Sequence, residues 1–227
     1  MEKLPHSQNQ ESQESLEDVM QQEMNRVEGI LHVLDYKILE GSASAEELAC
    51  LNTIVTNNNS KIVGEIGFHT GFSSRAFLTN TDVEQIVSFD IGEYDYVSAA
   101  KEIIDEDFPG KHDLIIGDSK EIVPKYLEAN PETKFDTIFI DGGHDFNTAW
   151  TDILNMKKFA HEDTDVIMDD LVNNPTKPWG IGVRKAWKKA IEEGVIEQQE
   201  LWEDGVLAEE IGFCTADRAW ARGRYIF

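Results

Sequence analysis

The sequence predicts an α/β fold with a doubly wound, mostly parallel sheet, and two patterns support this prediction. Continuous apolar runs of strand length lie at 62–66, 85–89, 113–116, 135–140 and 165–168. Segments with helical spacing separate them, at 73–78, 94–106, 119–129 and 146–159. Because the strands are apolar throughout rather than at alternate positions, we expect helices to cover both faces of the sheet. The alternation of strands and helices also implies right-handed βαβ connections.

The N-terminal part of the chain predicts a polar tail and a long first helix. Residues 1–15 are rich in Gln, Ser, Glu and Asn and are expected to be disordered. The helix is expected to begin at a capping box formed by Ser15 and Asp18. Apolar residues at helical spacing continue to Ile38, and Gly41 is the expected stop.

The remaining elements lie on either side of the alternating region. A second helix is expected at about 44–56, before the first strand. After the fifth strand, a long loop at 173–180 leads to a helix at about 183–193. Two further strands, at 210–215 and 222–227, are expected to form an antiparallel hairpin that closes the sheet.

Composition and charge exclude several classes of protein. Lys and Arg total 20 and Asp and Glu total 44, which gives a formal net charge of −24. A surface this acidic repels nucleic-acid backbones and anionic lipid headgroups, so we expect neither partner. The sequence has no apolar run of transmembrane length and no apolar signal segment at its start. Its two cysteines, Cys50 and Cys214, lack metal-binding spacing, so we expect reduced thiols in a cytoplasmic protein.

The turn after the first strand is rich in glycine. Glu65 stands two residues before Gly67, and Gly71 directly precedes a predicted helix. Glycines let the backbone approach a ligand closely, and a helix N-terminus offers amides to a carboxylate. The spacing of Gly67 and Gly71 differs from G-x-G-x-x-G, which disfavours a nicotinamide-dependent oxidoreductase. A tight turn without a ligand is the alternative.

Polar residues also follow the second and third strands. Asp90 ends the second strand, where an acid typically hydrogen-bonds ribose hydroxyls, although an Asp can also simply close a turn. Asp118 and Ser119 follow the third strand. Either residue can cap the next helix or contact the edge of an adenine, and the sequence does not separate these roles.

Three carboxylates and a histidine follow the fourth and fifth strands. Asp141 is followed by two glycines and His144, and Asp169 and Asp170 end the fifth strand. Carboxylates at buried strand ends are costly unless they are solvated or paired with a cation. Hard oxygen ligands of this kind suit an octahedral ion such as Mg²⁺. The alternatives are solvated turn acids and a histidine that is satisfied locally.

Together, these motifs resemble those of the class I S-adenosylmethionine-dependent methyltransferases. The matching positions are Glu65, Gly67, Gly71, Ser73, Asp90, 117–119, 140–144 and 169–170. The combination is most similar to the metal-dependent O-methyltransferases, which range from catechol-type enzymes to sugar O-methyltransferases of macrolide and aminocoumarin pathways. The resemblance extends from about residue 62 to the C-terminus and implies a seven-stranded, Rossmann-like sheet.

The resemblance implies roles for the residues that would bind the cofactor, S-adenosylmethionine. The loop that would hold its methionine part contains Glu65, Gly67, Phe68, His69, Gly71 and Ser73. Asp90 would bind the ribose, with Ile91 beside the adenine. Asp118 and Ser119 would form the adenine-side loop, and Asp141 would also lie against the cofactor.

The resemblance also implies a metal site and a base. Asp141, Asp169 and Asp170 would bind Mg²⁺ or another divalent cation. His144 occupies the place of a candidate general base in related sugar methyltransferases, where catechol-type enzymes have lysine, so His144 and Asp141 are the expected catalytic residues.

We therefore expect Mg²⁺-dependent O-methylation of a hydroxyl on a small molecule of sugar or natural-product type. Residues 16–60 would form a helical cover, and residues 61–227 would form the methyltransferase domain. A metal-independent N- or O-methyltransferase and a non-catalytic interaction protein that retains the fold are the alternatives. A homo-oligomer is also left open, because the apolar stripe of the first helix can pack on its own domain or on a second chain.

Overall fold

The computed structural model describes residues 14–38, 43–209 and 216–227, which form seven helices and one eight-stranded sheet. The helices are α1 (Leu16–Val33), α2 (Ala45–Asn57), α3 (Phe72–Thr79), α4 (Val97–Asp107), α5 (Ser119–Ala129), α6 (Phe146–Lys157) and α7 (Gly180–Glu192). The strands are β1 (Ile62–Ile66), β2 (Gln85–Asp90), β3 (His112–Ile116), β4 (Thr137–Ile140), β5 (Asp165–Met168), β6 (Ile196–Glu203), β7 (Val206–Ala208) and β8 (Ala219–Tyr225). Within these described ranges, no helix has both the length and the apolar character needed to cross a bilayer.

The sheet has the strand order β3-β2-β1-β4-β5-β8-β6-β7. Strands β1 to β5 are parallel, and β8 pairs antiparallel with β5 on one side and β6 on the other. The predicted doubly wound α/β class is therefore confirmed. The strand order reverses between β1 and β4, which opens a crevice at the carboxyl ends of these two strands.

Helices cover both faces of the sheet, as the continuous apolar strands predicted. Helices α1 to α4 pack on one face with strand residues such as Val63 and Phe139. Helices α5 to α7 pack on the other face with residues such as Ile66 and Ile138. Successive strand residues thus serve different cores, which explains why these strands contain few polar residues.

The first helix begins as predicted but ends earlier. Ser15 accepts a hydrogen bond from the Asp18 amide, and the Asp18 side chain returns one to Ser15, which completes the capping box. The helix stops at Val33 rather than Ile38, because Asp35 adopts a left-handed conformation with φ 67. The Tyr36 amide then donates to the Leu31 carbonyl, as in a Schellman motif. Gly41, the expected stop, lies outside the described residues.

The C-terminal part of the sheet differs from the prediction. Strand β6 and the short edge strand β7 were not predicted, and the sheet has eight strands rather than seven. Strand β6 is mostly polar and alternates between buried and exposed positions, so it lacks the apolar signal of the inner strands. The predicted strand at 210–215 lies outside the described residues. The antiparallel partner of β8 at this end is β6, and β8 begins at Ala219 rather than at residue 222.

Candidate active site

A cleft of about 520 Å³ opens at the carboxyl ends of the parallel strands. The loops after β1, β2, β3, β4 and β5 line it, together with the start of α2 and Arg218. The predicted site residues in its wall are Gly67, Phe68, His69, Ser73, Asp90, Ile91, Asp118, Ser119, Asp141, His144, Asp169 and Asp170. Glu65 and Gly71 lie outside this lining. Most of the residues predicted from the sequence therefore line one cleft.

The glycine turn after β1 is held by Asp90. The two oxygens of the Asp90 carboxylate accept hydrogen bonds from the amides of Phe68 at 2.7 Å, His69 at 2.9 Å and Gly92 at 2.7 Å. Gly67 has φ +91, and a Cβ there would collide with the carbonyl oxygen of Asp141, so the turn requires glycine. A carboxylate has about four acceptor sites, which leaves Asp90 able to accept from a ligand hydroxyl as well.

Glu65 lies beneath the turn, where its carboxyl group is fully buried. Hydroxyl groups of Ser73, Ser74 and Ser88 each donate to it at 2.5 Å. Burial raises the pKa of Glu65, and the three hydroxyls act against that rise. Glu65 thus connects β1 and β2 to the first turn of α3. It supports the glycine turn and does not line the cleft.

The loop after β3 separates the roles of Asp118 and Ser119. Asp118 caps α5, since its carboxylate accepts from the Lys120 amide at 3.0 Å. The Ser119 hydroxyl instead donates to the Asp152 carboxyl group at 2.7 Å. Asp152 belongs to α6 and is 0% exposed. No local sequence pattern identifies Asp152, because its contact with Ser119 joins two helices that are distant in the chain.

At the other end of the cleft, one histidine and two carboxylates converge. Asp141, His144 and Asp170 each offer a ligand atom, and these atoms all lie within 4.8 Å of one another. The Nε2 atom of His144 is 2.7 Å from an oxygen of Asp170. Asp170 reaches this position because its backbone adopts a left-handed bend with φ 59 directly after β5. This group contains His144 where the resemblance implied Asp169.

Asp169 lies beside this group and near Glu47, a residue that was not among the predicted site residues. Glu47, in the first turn of α2, is only 1% exposed, and its charge raises the pKa of Asp169. An NH group of Arg218 lies 3.3 Å from the Glu47 carboxylate.

Glu47 carried a signal in the sequence that would have identified it. It precedes Leu51 by four residues and Ile54 by seven, so it lies on the buried face of α2. An acid on the apolar face of an amphipathic helix requires a polar partner. Arg218 carried no comparable signal, because its role depends on the position of β8 in the folded sheet.

The acidic end of the cleft is electrostatically unbalanced. Burial raises the pKa of Asp141 well above its ordinary value, and the charges of Asp170 and Glu47 raise it further. Burial and the same neighbouring acids also raise the pKa of Asp169. The pKa of Glu47 is raised by burial, although the positive charge of Arg218 opposes this.

A divalent cation fits this donor set. Four carboxyl groups, those of Glu47, Asp141, Asp169 and Asp170, supply hard oxygen atoms, and a cation would relieve their mutual repulsion.

Residues 65–171 match a sequence family described as a methyltransferase domain. No curated protein sequence matches the chain. The matched segment contains the glycine turn, Asp90, the Asp118 turn and the acids that follow β4 and β5.

Solved structures of O-methyltransferases share the fold. The O-methyltransferase from Bacillus cereus in complex with SAH is 14% identical, with a TM-score of 0.70 and coverage of 95% of this chain and 94% of that one. TomG from Streptomyces achromogenes, an O-methyltransferase of tomaymycin synthesis in complex with SAM, is 15% identical, with a TM-score of 0.67 and coverage of 94% and 91%. CalS11, a TDP-rhamnose 3′-O-methyltransferase of calicheamicin biosynthesis, is 18% identical, with a TM-score of 0.59 and coverage of 93% and 96%.

At these identities, the structural likeness establishes a shared fold, and the family match adds the methyltransferase motifs within it. Residues 65–171 therefore match a methyltransferase domain, and the chain shares the fold of solved O-methyltransferases.

Proposed function

We propose that this protein is a divalent-cation-dependent O-methyltransferase that acts on a hydroxyl of a small molecule of sugar or natural-product type. The observation that carries the proposal is that Asp141, Asp169 and Asp170 line the same cleft as Asp90 and the glycine turn. The sulfonium of S-adenosylmethionine supplies an electrophilic methyl group. The protein must therefore hold that cofactor, align an acceptor hydroxyl and take up its proton.

The residues at the glycine turn suit the cofactor. Asp90 has acceptor capacity for ribose hydroxyls, and Ile91 and Ser119 lie in the cleft wall where a base would extend beyond the ribose. The N-terminus of α3, which Gly71 opens, directs backbone amides toward a carboxylate such as that of the methionine part. Phe68, His69 and Ser73 complete this part of the lining.

The acidic end suits a cation and a hydroxylated acceptor. Asp141 and Asp170 would hold the cation, with Asp169 beside them. When bound, such a cation lowers the pKa of a coordinated hydroxyl and fixes its position. Alignment of the reacting groups is the second contribution, and in favourable cases it lowers the barrier by about 7–11 kcal/mol.

His144 is suited to take the proton from the acceptor. Its contact with Asp170 favours the tautomer with hydrogen on Nε2, because a carboxylate can only accept. In that tautomer the basic lone pair is on Nδ1. An alternative role for His144 is that of a cation ligand, since it belongs to the same compact group as Asp141 and Asp170.

The choice of oxygen as the methylated atom is supported by the structural neighbours, which are O-methyltransferases. One neighbour acts on TDP-rhamnose, a sugar nucleotide. A sugar-like acceptor also suits the polar lining formed by Glu47, Arg218 and the strand-end acids, which offers hydrogen-bond partners to several hydroxyls.

The test is an acceptor screen by mass spectrometry for a gain of about 14 Da, the mass of one added CH₂ group. Reactions are run with Mg²⁺ and with EDTA, for the natural chain, Asp169→Ala, His144→Ala and the exposed-acid control Asp82→Ala. We expect EDTA, Asp169→Ala and His144→Ala to abolish or strongly reduce transfer, and Asp82→Ala to retain it. Full activity in EDTA and in both site variants would support a metal-independent methyltransferase instead. Failure to bind S-adenosylhomocysteine would support a non-catalytic protein that retains the fold.

To separate the two roles of His144, Mn²⁺ binding to His144→Ala is measured directly by titration calorimetry. A base that is not a ligand leaves the Mn²⁺ affinity within a few-fold of the natural chain while the methyl-transfer rate falls by about 10²–10⁴-fold. Parallel loss of Mn²⁺ affinity and activity would make His144 a ligand.

A further inference from the structure

Asp152 is a buried carboxyl group behind the wall of the cleft. One oxygen, Oδ1, accepts the hydrogen bond from Ser119, while Oδ2 has no hydrogen-bond partner among the described residues. Oδ2 lies against the backbone of Gly142, since a Cβ on that glycine would be 3.3 Å away. Leaving a buried acceptor unpaired costs free energy, so such a group calls for an explanation.

Glu65 shows how this protein pairs a carboxyl group with a structural role. Both of its oxygens accept from serine hydroxyls, and none of those bonds leaves an oxygen without a donor. Asp152 binds one hydroxyl only, and that hydroxyl belongs to Ser119 in the cleft wall. Burial raises the pKa of Asp152 to about 7, while the Ser119 hydrogen bond and the charge of Lys120 act against the rise.

The contact fixes the direction of the hydrogen bond at Ser119. A hydroxyl has one hydrogen, and an ionised carboxylate can only accept, so above the pKa of Asp152 the hydrogen of Ser119 is directed to Asp152. The oxygen of Ser119 then offers only lone pairs to the cleft. A ligand group beside Ser119 must be a hydrogen-bond donor.

The base of the cofactor is the ligand group expected there. If Asp90 at the end of β2 binds the ribose, the base extends toward the loop after β3, which contains Ser119. Adenine has a donor amino group at position 6, whereas the corresponding hypoxanthine has an acceptor oxygen. We propose that Asp152 is a positioning residue that sets the polarity of Ser119, so that the cleft selects a 6-aminopurine nucleoside over its 6-oxopurine analogue. This inference rests on the proposed function only in that the cleft binds the adenosyl cofactor.

The test compares the binding of S-adenosylhomocysteine and S-inosylhomocysteine to the full chain by titration calorimetry. For the natural chain we expect a preference of about tenfold or more for the adenosyl compound. In Asp152→Asn the amide nitrogen can donate to Ser119, which allows the hydroxyl hydrogen to turn toward the cleft. We therefore expect the preference to fall to within about twofold, with the inosyl compound gaining affinity.

Two further variants keep the test decisive. Asp145→Asn changes an acid on the same helix whose side chain only caps α6, and it should keep the natural preference. Ser119→Ala removes the hydroxyl without replacing a buried group, and it should abolish the preference even if Asp152→Asn does not fold.

The outcomes separate this inference from the proposed function. Equal affinities of the natural chain for the two compounds, or an unchanged preference in either folded Asp152→Asn or Ser119→Ala, would overturn the role of Asp152. A natural chain that binds neither compound would overturn the proposed function itself, and the inference with it.

Discussion

Glu65 in β1 and Asp169 directly after β5 lie on either side of β4, and the surroundings of their carboxyl groups differ in kind. Glu65 receives hydrogen bonds from three serine hydroxyls, and nearby Asp90 receives three from backbone amides. Asp169 meets other acids, Glu47 and Asp141 among them, which raise its pKa after burial has done so. At the end of the cleft that contains the glycine turn, the protein itself therefore supplies hydrogen-bond donors to the carboxylates. At the acidic end, the described cation that faces these acids is Arg218, which lies 3.3 Å from the Glu47 carboxylate.

This difference distinguishes carboxylates that maintain the fold from those that bind a ligand. At the glycine-turn end, the protein supplies the hydrogen-bond donors, so the loop after β1 has its conformation before a ligand binds. At the acidic end, the acids repel one another until a cation or protons neutralise them. Removing a carboxylate charge at the glycine-turn end should therefore destabilise the protein, whereas removing one at the acidic end should stabilise it.

The largest expected effect is on cation binding and activity. Asp141→Asn removes an oxygen ligand from the compact group with His144 and Asp170. We expect the methyl-transfer rate and the Mn²⁺ affinity to fall by at least ~100-fold, more than the loss of a residue that only supports a ligand. Initial rates and titration calorimetry measure the two quantities, with Asp82→Asn as the exposed-acid control. Normal Mn²⁺ affinity in Asp141→Asn would place the cation elsewhere.

The second prediction applies the same substitution, carboxylate to amide, at each end of the cleft. In EDTA, Glu65→Gln should lower the free energy of unfolding by about 2 kcal/mol, because it disrupts charge-assisted hydrogen bonds to three hydroxyls. Asp169→Asn should raise it by about 1 kcal/mol, since it removes one of several carboxylate charges that repel one another. Urea denaturation measures both. A shift of the same sign in the two variants would contradict the distinction between the two ends.

The smallest effect is on the pH dependence of stability, and it arises from a histidine near the buried Glu65. Burial lowers the pKa of His112, beside Ser88, to about 3. The folded protein then binds fewer protons at this histidine than the unfolded chain does between about pH 3 and 6.5. The resulting stability is fully present above the unfolded pKa and is lost as the pH falls.

His112→Gln should therefore reduce the acid sensitivity of the fold. We expect the natural chain to lose about 1.6 kcal/mol more stability than the variant between pH 6.5 and pH 5. Urea denaturation at the two pH values, in EDTA, measures this difference. Equal losses in the two proteins would mean that His112 is protonated in the folded state.

The sequence predicted the parts of this molecule that depend on local patterns. The Ser15–Asp18 capping box, the inner strands and the acids at the strand ends follow from residue order and spacing. In a parallel sheet, the residues after each strand share one edge, so a list of strand-end residues becomes a site. The cleft contains most of the predicted residues for this reason.

The parts that could not be predicted depend on contacts between distant segments. Asp152 gains its role from Ser119 in another helix, and Arg218 gains its role from Glu47 in α2. The polar strand β6 is a strand because β8 pairs with it, not because of its own composition. The early end of α1 depends on Asp35 in a left-handed conformation, which Asn, Asp and Gly adopt more readily than other residues but do not signal by themselves.

The central claim is that one cleft binds the adenosyl cofactor at Asp90 and a divalent cation at the acidic end. A crystal structure of the protein with S-adenosylhomocysteine and Mn²⁺, with anomalous diffraction data, tests it most directly. We expect an anomalous peak among Asp141, Asp169 and Asp170 and a nucleoside whose ribose hydroxyls contact Asp90. A manganese peak remote from these acids, or a nucleoside bound outside the cleft, would contradict the claim.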